Sequence, residues 1–429
     1  GPNPQSPIPN PQSPIPKKLL KGQTILIINN FNNFFGKKMI TNDSERSKRS
    51  SRGRYLSPSF KKGIVTEKPD EDEFKLNLVS TGEDGDRSSS PSPKKISQKN
   101  SEDLKINLLK NDEFEFNSSS KKKSYEIKSN ANLDGHAKSI ASHSQAGKGE
   151  DGFNKVNQDS FFVIQNEYKL PDFNIFAVLD GHGEFGHLVS RFVTKYFVTF
   201  FKKNKKMKIL KSEDEVYSRL KKNDYDILKR VFKHAEKDIT KSQIDAKFSG
   251  TTCVMVFQIG EKIICANVGD SRAILVKGEK ANIIIPLSVD QKPNEPEEKK
   301  RIESQNGEVD QLEEDGEKTG PFRVWAKGQV YPGIAMSRSI GDFVASTLGV
   351  IPEPICFEET IDKDTKFIIL GSDGIWEFLE NKKVAEIVYP FYQKNNPEGA
   401  CKALIKEATE LWNKEDIVVD DITCIVVFF

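Results

Sequence analysis

The sequence predicts a mixed α and β fold, an antiparallel β-sandwich with helices packed on its outer faces. Strand-like apolar runs alternate with long helical patterns from about residue 125 onward. Two of these runs, Cys253–Ile259 and Lys262–Val268, are joined by the short connection Gly260-Glu261, which indicates a β-hairpin. A last apolar run, Ile422–Phe429, is predicted to close the chain as a strand.

Three segments carry the helical pattern. The segment His187–Phe201 places Leu188, Val189, Phe192, Tyr196 and Phe197 on one face. A second helix is predicted to open at the capping box Ser212-x-x-Glu215. Its core stripe consists of Leu220, Ile227, Leu228, Val231, Phe232 and Ala235. A third helix is expected to start near Pro397 and to run past Leu404, Ala408 and Leu411.

The first 124 residues differ sharply from the rest. Residues 3–16 repeat Asn-Pro-Gln-Ser-Pro-Ile-Pro, and Ser/Lys/Arg runs with few apolar residues follow. Such a segment buries too little surface to offset its ordering entropy, so we predict a disordered low-complexity tail over residues 1–124. Thr24–Phe35 is apolar and Asn-rich, which leaves a docking or self-associating segment open. Kinases could modify the Ser-Pro sites Ser6, Ser13, Ser57, Ser90 and Ser92, although an ordinary solvated tail has the same composition.

Overall composition restricts the classes of partner. The 429 residues carry a formal net charge of +2, so nothing demands a nucleic-acid or membrane partner. The apolar run Ile25–Ile28 is too short to span a bilayer, and no transmembrane segment is expected. Five cysteines lack any CxxC spacing, which is typical of reduced thiols in an intracellular protein, cytoplasmic or nuclear.

Four aspartates lie beside predicted strands far apart in the chain: Asp159, Asp180, Asp373 and Asp420. Carboxylates at strand ends can converge in space, and clustered like charges cannot all stay ionised without a cation. Hard oxygen ligands favour magnesium or manganese over zinc. The pattern therefore points to a metal-dependent phosphoryl-group hydrolase. Because Asp180 and Asp373 each precede a glycine, ordinary turn aspartates are the alternative for either one alone.

The same aspartates belong to an ordered series of eight short motifs. The series reads Asn157-Gln158-Asp159, Asp180-Gly181-His182-Gly183, Ser249-Gly250-Thr251-Thr252, Asn267-Val268-Gly269-Asp270-Ser271-Arg272, Asp290-Gln291-Lys292-Pro293, Ser337-Arg338-Ser339-Ile340-Gly341-Asp342, Ser372-Asp373-Gly374-Ile375-Trp376 and Asp420-Asp421-Ile422-Thr423. In this order and spacing it resembles the metal-dependent protein Ser/Thr phosphatases of type 2C. The resemblance covers residues 125–429, which are therefore expected to form one phosphatase domain.

The resemblance implies an α+β, four-layer α-β-β-α sandwich of two antiparallel sheets flanked by helices. It also implies two Mg²⁺ or Mn²⁺ ions per subunit, with Asp180 bridging them, and a weaker third ion. The expected metal ligands are Asp159, Asp180, the backbone carbonyl of Gly181, Asp373 and Asp420, with Asp270 joining Asp373 at the third ion. A bridging water activated by the ions would attack phosphorus directly, so no covalent intermediate is expected.

Three further residues are candidates for catalytic roles. His182 would act as general acid, although a lone histidine is more often structural. Gln158 stands where many relatives have Glu and would hold metal-bound water through its amide. Asn154 falls where many relatives have the phosphate-binding Arg, so the neighbouring Lys155 is the candidate phosphate anchor. A solvated surface lysine is the alternative for Lys155.

Other motif residues are expected to be structural. Asp421 could coordinate instead of Asp420, but adjacent acids repel, so we expect Asp421 to face solvent or the outer shell of waters around the ions. Arg272 and Asp342 are expected to form structural hydrogen bonds or turns. Residues 307–331 are expected to form a long irregular flap close to the cleft.

The sequence therefore predicts a monomeric protein Ser/Thr phosphatase that hydrolyses phosphoserine and phosphothreonine on protein substrates. One rival is a pseudophosphatase that binds partners without turnover, against which the complete aspartate set argues. The other rival is a scaffold in which the basic, Ser-rich tail does the work. The sequence leaves the physiological substrate and the choice between magnesium and manganese open.

Overall fold

The structure is a computed structural model that describes residues 135–314 and 316–429. The tail predicted over residues 1–124 lies outside these ranges. The described strands are β1 (Ser139–Gln145), β2 (Ser160–Ile164), β3 (Phe173–Leu179), β4 (Gly181–His182), β5 (Gly250–Thr251), β6 (Cys253–Ile259), β7 (Lys262–Val268), β8 (Arg272–Lys277), β9 (Ile283–Pro286), β10 (Gly307–Glu314), β11 (Glu317–Ala326), β12 (Pro332–Ile334), β13 (Ile340–Gly341), β14 (Ile355–Thr360), β15 (Thr365–Gly371) and β16 (Ile422–Phe428).

Helices connect and cover these strands. They are α1 (Gly186–Lys203), α2 (Lys205–Lys208), α3 (Glu213–Ile239), α4 (Pro296–Ser304), α5 (Phe343–Ser346), α6 (Asp373–Trp376), α7 (Asn381–Tyr392) and α8 (Pro397–Glu415), with a 3-10 turn at Glu167–Lys169. In the part of the chain that the structure describes, no helix has both the length and the apolar character needed to cross a membrane.

Two five-stranded antiparallel sheets form the centre of the fold. One sheet has the order β1-β16-β15-β8-β9 and the other has the order β14-β7-β6-β3-β2. Every residue of β3 and β16 is buried, because each of these strands is covered on both faces. The predicted hairpin of β6 and β7 is present, and Gly260 in its turn has a positive φ of 58°. The predicted antiparallel sandwich is confirmed.

The sheets pack on each other through alternating apolar residues. The core between them includes Phe176, Val178 and Val254 of one sheet and Leu370 and Val427 of the other. A second core lies on the outer face of the first sheet, where α7 and α8 cover β15 and β16. Helices α1 and α3 cover the other sheet, where the Phe201 ring of α1 meets the Phe257 ring of β6 edge to face. The order of layers is therefore helix, sheet, sheet, helix.

The helix that follows the Ser212 capping box differs from the prediction. The Ser212 hydroxyl accepts the backbone N–H of Glu215 at 3.3 Å, as a capping box requires. The core stripe is buried as predicted. Within α3, however, Asn223, Asp224 and Tyr225 have positive φ angles, so the helix is interrupted after Lys221. Asn and Asp tolerate the left-handed region better than most residues, which explains where the break falls.

The expected irregular flap is wrong, because Gly307–Glu314 and Glu317–Ala326 form strands. Strands β10 and β11 make a hairpin that β12 extends to a three-stranded sheet. Val309 and Val324 of this sheet pack with Ile302 of α4 in a small separate core. The Trp325 indole N–H donates to the Asp310 carbonyl at 2.9 Å. The helix surface that the few apolar residues pack against favours strands over an irregular loop.

The five cysteines are free thiols, as predicted. Cys253, Cys265, Cys401 and Cys424 are buried, and Cys356 is half-buried. Burial raises the pKa of the Cys253 thiol well above its usual value, so this side chain behaves as a small apolar group.

Candidate metal centre

The strand ends beside the two sheets bring the predicted ligands to one end of the sandwich. Asp159 directly precedes β2, and Asp180 directly follows β3, to which β2 is paired. Asp373 begins α6 just after β15, and Asp420 lies two residues before β16, to which β15 is paired. Since paired antiparallel strands start and end at the same edge, the fold itself collects these four acids.

The four carboxylates lie close enough to influence one another's ionisation. Burial, together with the charges of Asp421 and Asp420, raises the pKa of Asp159 to about 7 against the opposing hydrogen bonds from Thr423 and Ser372. Burial also raises the pKa of Asp180 well above its usual value, with Asp373 as the next cause. These groups therefore resist being ionised together, as expected for a pocket that needs positive charge.

Asp180 and Asp373 are in direct contact. Their carboxyl groups share a hydrogen bond, which requires a proton on one of the two unless a cation replaces it. Burial and the charges of Asp420 and Asp270 hold the pKa of Asp373 well above its usual range. The pair resembles a dyad of carboxylates that share one proton, a situation that a divalent ion removes.

The donor atoms fit a divalent cation with water ligands. Buried oxygens of Asp159 and Asp270, Oδ1 in each case, have no hydrogen-bond partner among the described residues. Yet within residues 135–314 and 316–429 no three or more His, Cys, Asp or Glu side chains are arranged to hold an ion by themselves. Mg²⁺ is usually held by one or two carboxylates and keeps several waters. A partly hydrated ion therefore suits this cluster better than a cage made only of side chains.

Asp421 does not face solvent, so the first of the two expected surroundings is wrong. Its carboxylate accepts the backbone N–H of Gly147 at 2.6 Å and that of Gln158 at 2.8 Å, and the residue is buried. Burial raises the pKa of Asp421, while these two hydrogen bonds favour the ionised form. Asp421 thus ties the loop before β2 to the start of β16, and Asp420 is the more exposed acid of the two.

The position of Asp180 is fixed through its backbone. The Thr252 hydroxyl accepts the Asp180 N–H at 2.9 Å, and the Thr251 hydroxyl donates to the Asp180 carbonyl at 3.0 Å. At the next position, Gly181, an added Cβ would lie 2.4 Å from the carbonyl oxygen of Gly186, so only glycine fits. The hydroxyls of Thr251 and Thr252 therefore hold a site residue in place.

Lys155 and Gln158 lie in the loop between β1 and β2. The Lys155 ammonium donates to Asp420 Oδ1 at 2.9 Å, and its side chain is 32% exposed. Burial lowers the pKa of Lys155, but the ion pair with Asp420 outweighs burial and raises it. The Gln158 amide donates to the Gly183 carbonyl at 2.7 Å. Lys155 is therefore partly buried beside the carboxylate cluster rather than fully solvated.

Asp270 pairs with a lysine whose role the sequence did not reveal. The Lys292 ammonium donates to Asp270 Oδ2 at 2.7 Å, and the Asp270 side chain is fully buried. Glu377, which follows α6, is close enough to interact with both, and burial raises its pKa to about 7. Lys292 belongs to the motif Asp290-Gln291-Lys292-Pro293. The signal that could have identified it was a basic residue inside the motif series that also carries the candidate carboxylates.

His182 contacts an aspartate distant in sequence. Its Nε2 lies 2.6 Å from Asp342 Oδ2. Burial lowers the pKa of His182, but the Asp342 carboxylate and its hydrogen bond outweigh burial and raise it.

Arg272 is bidentate to Asp290, with distances of 2.9 and 2.7 Å, and this structural hydrogen bonding was predicted.

Comparison with known proteins identifies similar chains. The family model for protein phosphatase 2C matches residues 143–417. A probable protein phosphatase 2C 35 of Arabidopsis thaliana is 33% identical over 300 residues, covering 66% of this chain and 82% of that protein. A second Arabidopsis thaliana protein, probable protein phosphatase 2C 34, is 32% identical over 290 residues, covering 66% and 78%. The crystal structure of a serine-threonine phosphatase 2C from Toxoplasma gondii has a similar fold, with a TM-score of 0.55, 20% identity and coverage of 69% and 96%.

Proposed function

The chain belongs to the protein phosphatase 2C family of metal-dependent protein Ser/Thr phosphatases, and we propose that the carboxylate cluster is its metal centre. One observation carries this proposal: buried carboxylates from distant strand ends raise one another's pKa values in a single pocket. A cluster of this kind is stable as ionised groups only beside cations. The substrates are phosphorylated proteins, from which the enzyme removes phosphate at serine and threonine.

Particular residues would hold the ions. We assign two Mg²⁺ or Mn²⁺ ions to Asp159, Asp180, the Gly181 carbonyl, Asp373 and Asp420, and a weaker third ion to Asp270 with Asp373. The ions, when bound, would acidify a water molecule and neutralise charge on the phosphoryl group. The unpartnered buried oxygens of Asp159 and Asp270 support the assignment, because buried oxygens without partners are rare.

The neighbouring side chains would act on the substrate. Lys155 lies beside Asp420 and would attract the phosphate as a point charge. Gln158 would orient water through its amide, and Asp421 keeps the Gln158 backbone in place. His182 would donate a proton to the leaving serine or threonine oxygen. Hydrolysis then proceeds by direct attack of water, without a covalent phosphoenzyme.

Several wider properties belong to the same proposal. We propose a monomer that acts on phosphoproteins and has no nucleic-acid partner, with an intracellular location, cytoplasmic or nuclear. The five free thiols agree with such a location. Kinases acting on the Ser-Pro sites of residues 1–124 would add charge to the tail rather than to the catalytic site.

The test compares phosphate release by matched variants. The wild-type protein should hydrolyse p-nitrophenyl phosphate with Mn²⁺ or Mg²⁺, and EDTA should abolish the reaction. Asp373→Ala should lose nearly all turnover while keeping its circular dichroism spectrum, whereas Asp364→Ala, at an exposed site, should remain active. If the folded wild-type protein releases no phosphate with either ion, the phosphatase assignment is wrong and a pseudophosphatase is indicated.

A further inference from the structure

We propose that Asp342 is a positioning residue that holds the His182 imidazole by Nε2 and thereby directs Nδ1 to the leaving oxygen of the substrate. This inference rests on the proposed function, because it assumes that His182 serves as the general acid. It adds a residue 160 positions away in the chain, for which the sequence predicted only a structural role.

The contact itself is short, and its carboxylate partner is buried. His182 Nε2 lies 2.6 Å from Asp342 Oδ2, and the Asp342 side chain is only 6% exposed. The Ser339 hydroxyl donates to the same carboxylate oxygen. Hydrogen bonds to an ionised acceptor are the strong ones, so two of them fix this carboxylate in one orientation. The imidazole plane is then fixed as well.

The remaining ring nitrogen has no competing contact. Nδ1 of His182 is buried and has no hydrogen-bond partner among the described residues. Since Nε2 is occupied by Asp342, only Nδ1 can pass a proton to a substrate. His182 follows Asp180 and Gly181 directly, so this nitrogen belongs to the segment that carries the cluster. A histidine whose second nitrogen is held by a carboxylate is a common way to fix ring orientation in enzymes.

The backbone at Asp342 is in an uncommon conformation. Its φ of 46° and ψ of 51° lie in the left-handed region, which non-glycine residues rarely adopt. Two backbone hydrogen bonds of 2.9 Å hold it there: its N–H donates to Ser249, and its carbonyl accepts from Ser346. Strained residues that the surroundings hold in place concentrate at functional sites. In this backbone conformation the Asp342 carboxylate lies against His182.

Glycine makes room for the contact. In the small sheet β13-β5-β4, Gly250 is the cross-strand partner of both His182 and Gly341. A Cβ on Gly250 would lie 2.0 Å from Asp342 Oδ2, so any larger residue would displace the carboxylate. Gly250 thus lies between the strand that carries His182 and the turn that carries Asp342.

The test uses the basicity of the leaving group. A serine or threonine alkoxide needs a proton to leave, whereas p-nitrophenolate leaves without one. Asp342→Asn should therefore lower kcat on a phosphothreonine peptide by about 10–100-fold. Its loss on p-nitrophenyl phosphate should be much smaller. The Mn²⁺ concentration that gives half-maximal rate should not change, because Asp342 is not assigned to the ions.

Three further variants make the result specific. His182→Gln should show the same dependence on the leaving group, and the double variant should be no slower than His182→Gln alone. Ser339→Ala removes one hydrogen bond to the same carboxylate and decides the matter if Asp342→Asn does not fold. Asp172→Asn is the matched control, because Asp172 contacts His136 at 2.9 Å at the opposite end of β3. It should leave both activities unchanged.

A readout independent of turnover is available in the metal-free protein. The chain contains five histidines, and NMR of labelled imidazoles should show a downfield Nε2–H signal for His182 that Asp342→Asn removes. Equal losses on both substrates in Asp342→Asn, or additive losses in the double variant, would overturn the inference. A wild-type protein inactive on both substrates would instead contradict the phosphatase assignment itself.

Discussion

Replacing Asp159 with asparagine should stabilise the metal-free protein at pH 8, although the change removes a proposed metal ligand. The carboxylate is buried, and burial together with Asp421 and Asp420 raises its pKa from 3.8 to about 7. Asparagine has nearly the same shape and can still accept the hydrogen bond that Ser372 donates at 2.9 Å. Its amide can also donate toward the neighbouring carboxylates.

The magnitude follows from the difference in pKa. A change from 3.8 to about 7 corresponds to about 4 kcal/mol, at about 1.4 kcal/mol per pKa unit. Between these two values the folded chain binds more protons at Asp159 than the unfolded chain. Stability therefore falls as the pH rises through this window, by about 3 kcal/mol between pH 5 and pH 8. Asp159→Asn should recover about 2–4 kcal/mol at pH 8 and much less at pH 5.

The assay is thermal unfolding in EDTA and in Mn²⁺ at both pH values. In EDTA at pH 8, Asp159→Asn should raise Tm by about 5–10 °C, given about 2–4 °C per kcal/mol for a domain of this size. In Mn²⁺ the order should reverse, because a ligand that binds only the folded state stabilises it in proportion to affinity. The wild-type protein should gain more from Mn²⁺ than the variant.

The control is Asp172→Asn, which replaces an aspartate outside the carboxylate cluster. Asp172 accepts hydrogen bonds from His136 and Gln258, so this variant should lose stability in EDTA. Its response to Mn²⁺ should equal that of the wild-type protein. A fall in Tm for Asp159→Asn in EDTA at pH 8, or an unchanged Mn²⁺ response, would refute the idea of a repulsive pocket that cations neutralise.

Three other predictions concern a structural ion pair, the phosphate anchor and the tail. Glu298 is bidentate to Arg301 and also contacts Arg338, and these contacts lower its pKa to about 2 against the effect of burial. Its contribution is complete above the unfolded value of 4.5 and is lost as the pH falls through about 2, so Glu298→Gln should cost about 3 kcal/mol at pH 7 but little near pH 2, measured by thermal unfolding. Lys155→Met should raise KM for a phosphopeptide about tenfold with little change in Tm, and Lys155→Arg should restore it; equal KM values would leave Lys155 a structural partner only. Deletion of residues 1–124 should leave kcat on p-nitrophenyl phosphate within about twofold of the full chain, since no proposed site residue lies there, and a loss of turnover would favour the scaffold hypothesis.

Features that depend on local patterns could be predicted from the sequence. The two residues Gly260 and Glu261 between apolar runs predicted the β6–β7 hairpin, because a two-residue connection leaves few alternatives. Asp159 and Asp180 each adjoin an apolar run, and pairing of those runs brings the acids together without any further information. The positions of the predicted strand ends were therefore enough to predict most of the candidate metal centre.

Contacts between distant segments could not be predicted in this way. Asp421 looked like the redundant member of an acidic pair, yet it accepts backbone N–H groups of Gly147 and Gln158, more than 260 residues away. The β10–β11 hairpin looked like a loop because its apolar residues are few, and Ile302 of α4 supplies the surface they need. In both cases the decisive partner lies elsewhere in the chain, where no periodic pattern indicates it.

The carboxylate cluster and the ordinary core have opposite energetics, and the fold accommodates both. Apolar residues between the two sheets stabilise the sandwich, while Asp159, Asp180 and Asp373 destabilise its end when they are ionised. The acids nonetheless remain in place, because their backbones lie at strand ends. The hydroxyls of Thr251 and Thr252 also form hydrogen bonds with the backbone of Asp180. A rigid frame of this kind keeps repelling groups together without a cation, so affinity for the cation comes from relieved repulsion as well as from coordination. Loosening the frame, for example with Thr252→Val, should therefore weaken Mn²⁺ binding even though every proposed ligand remains.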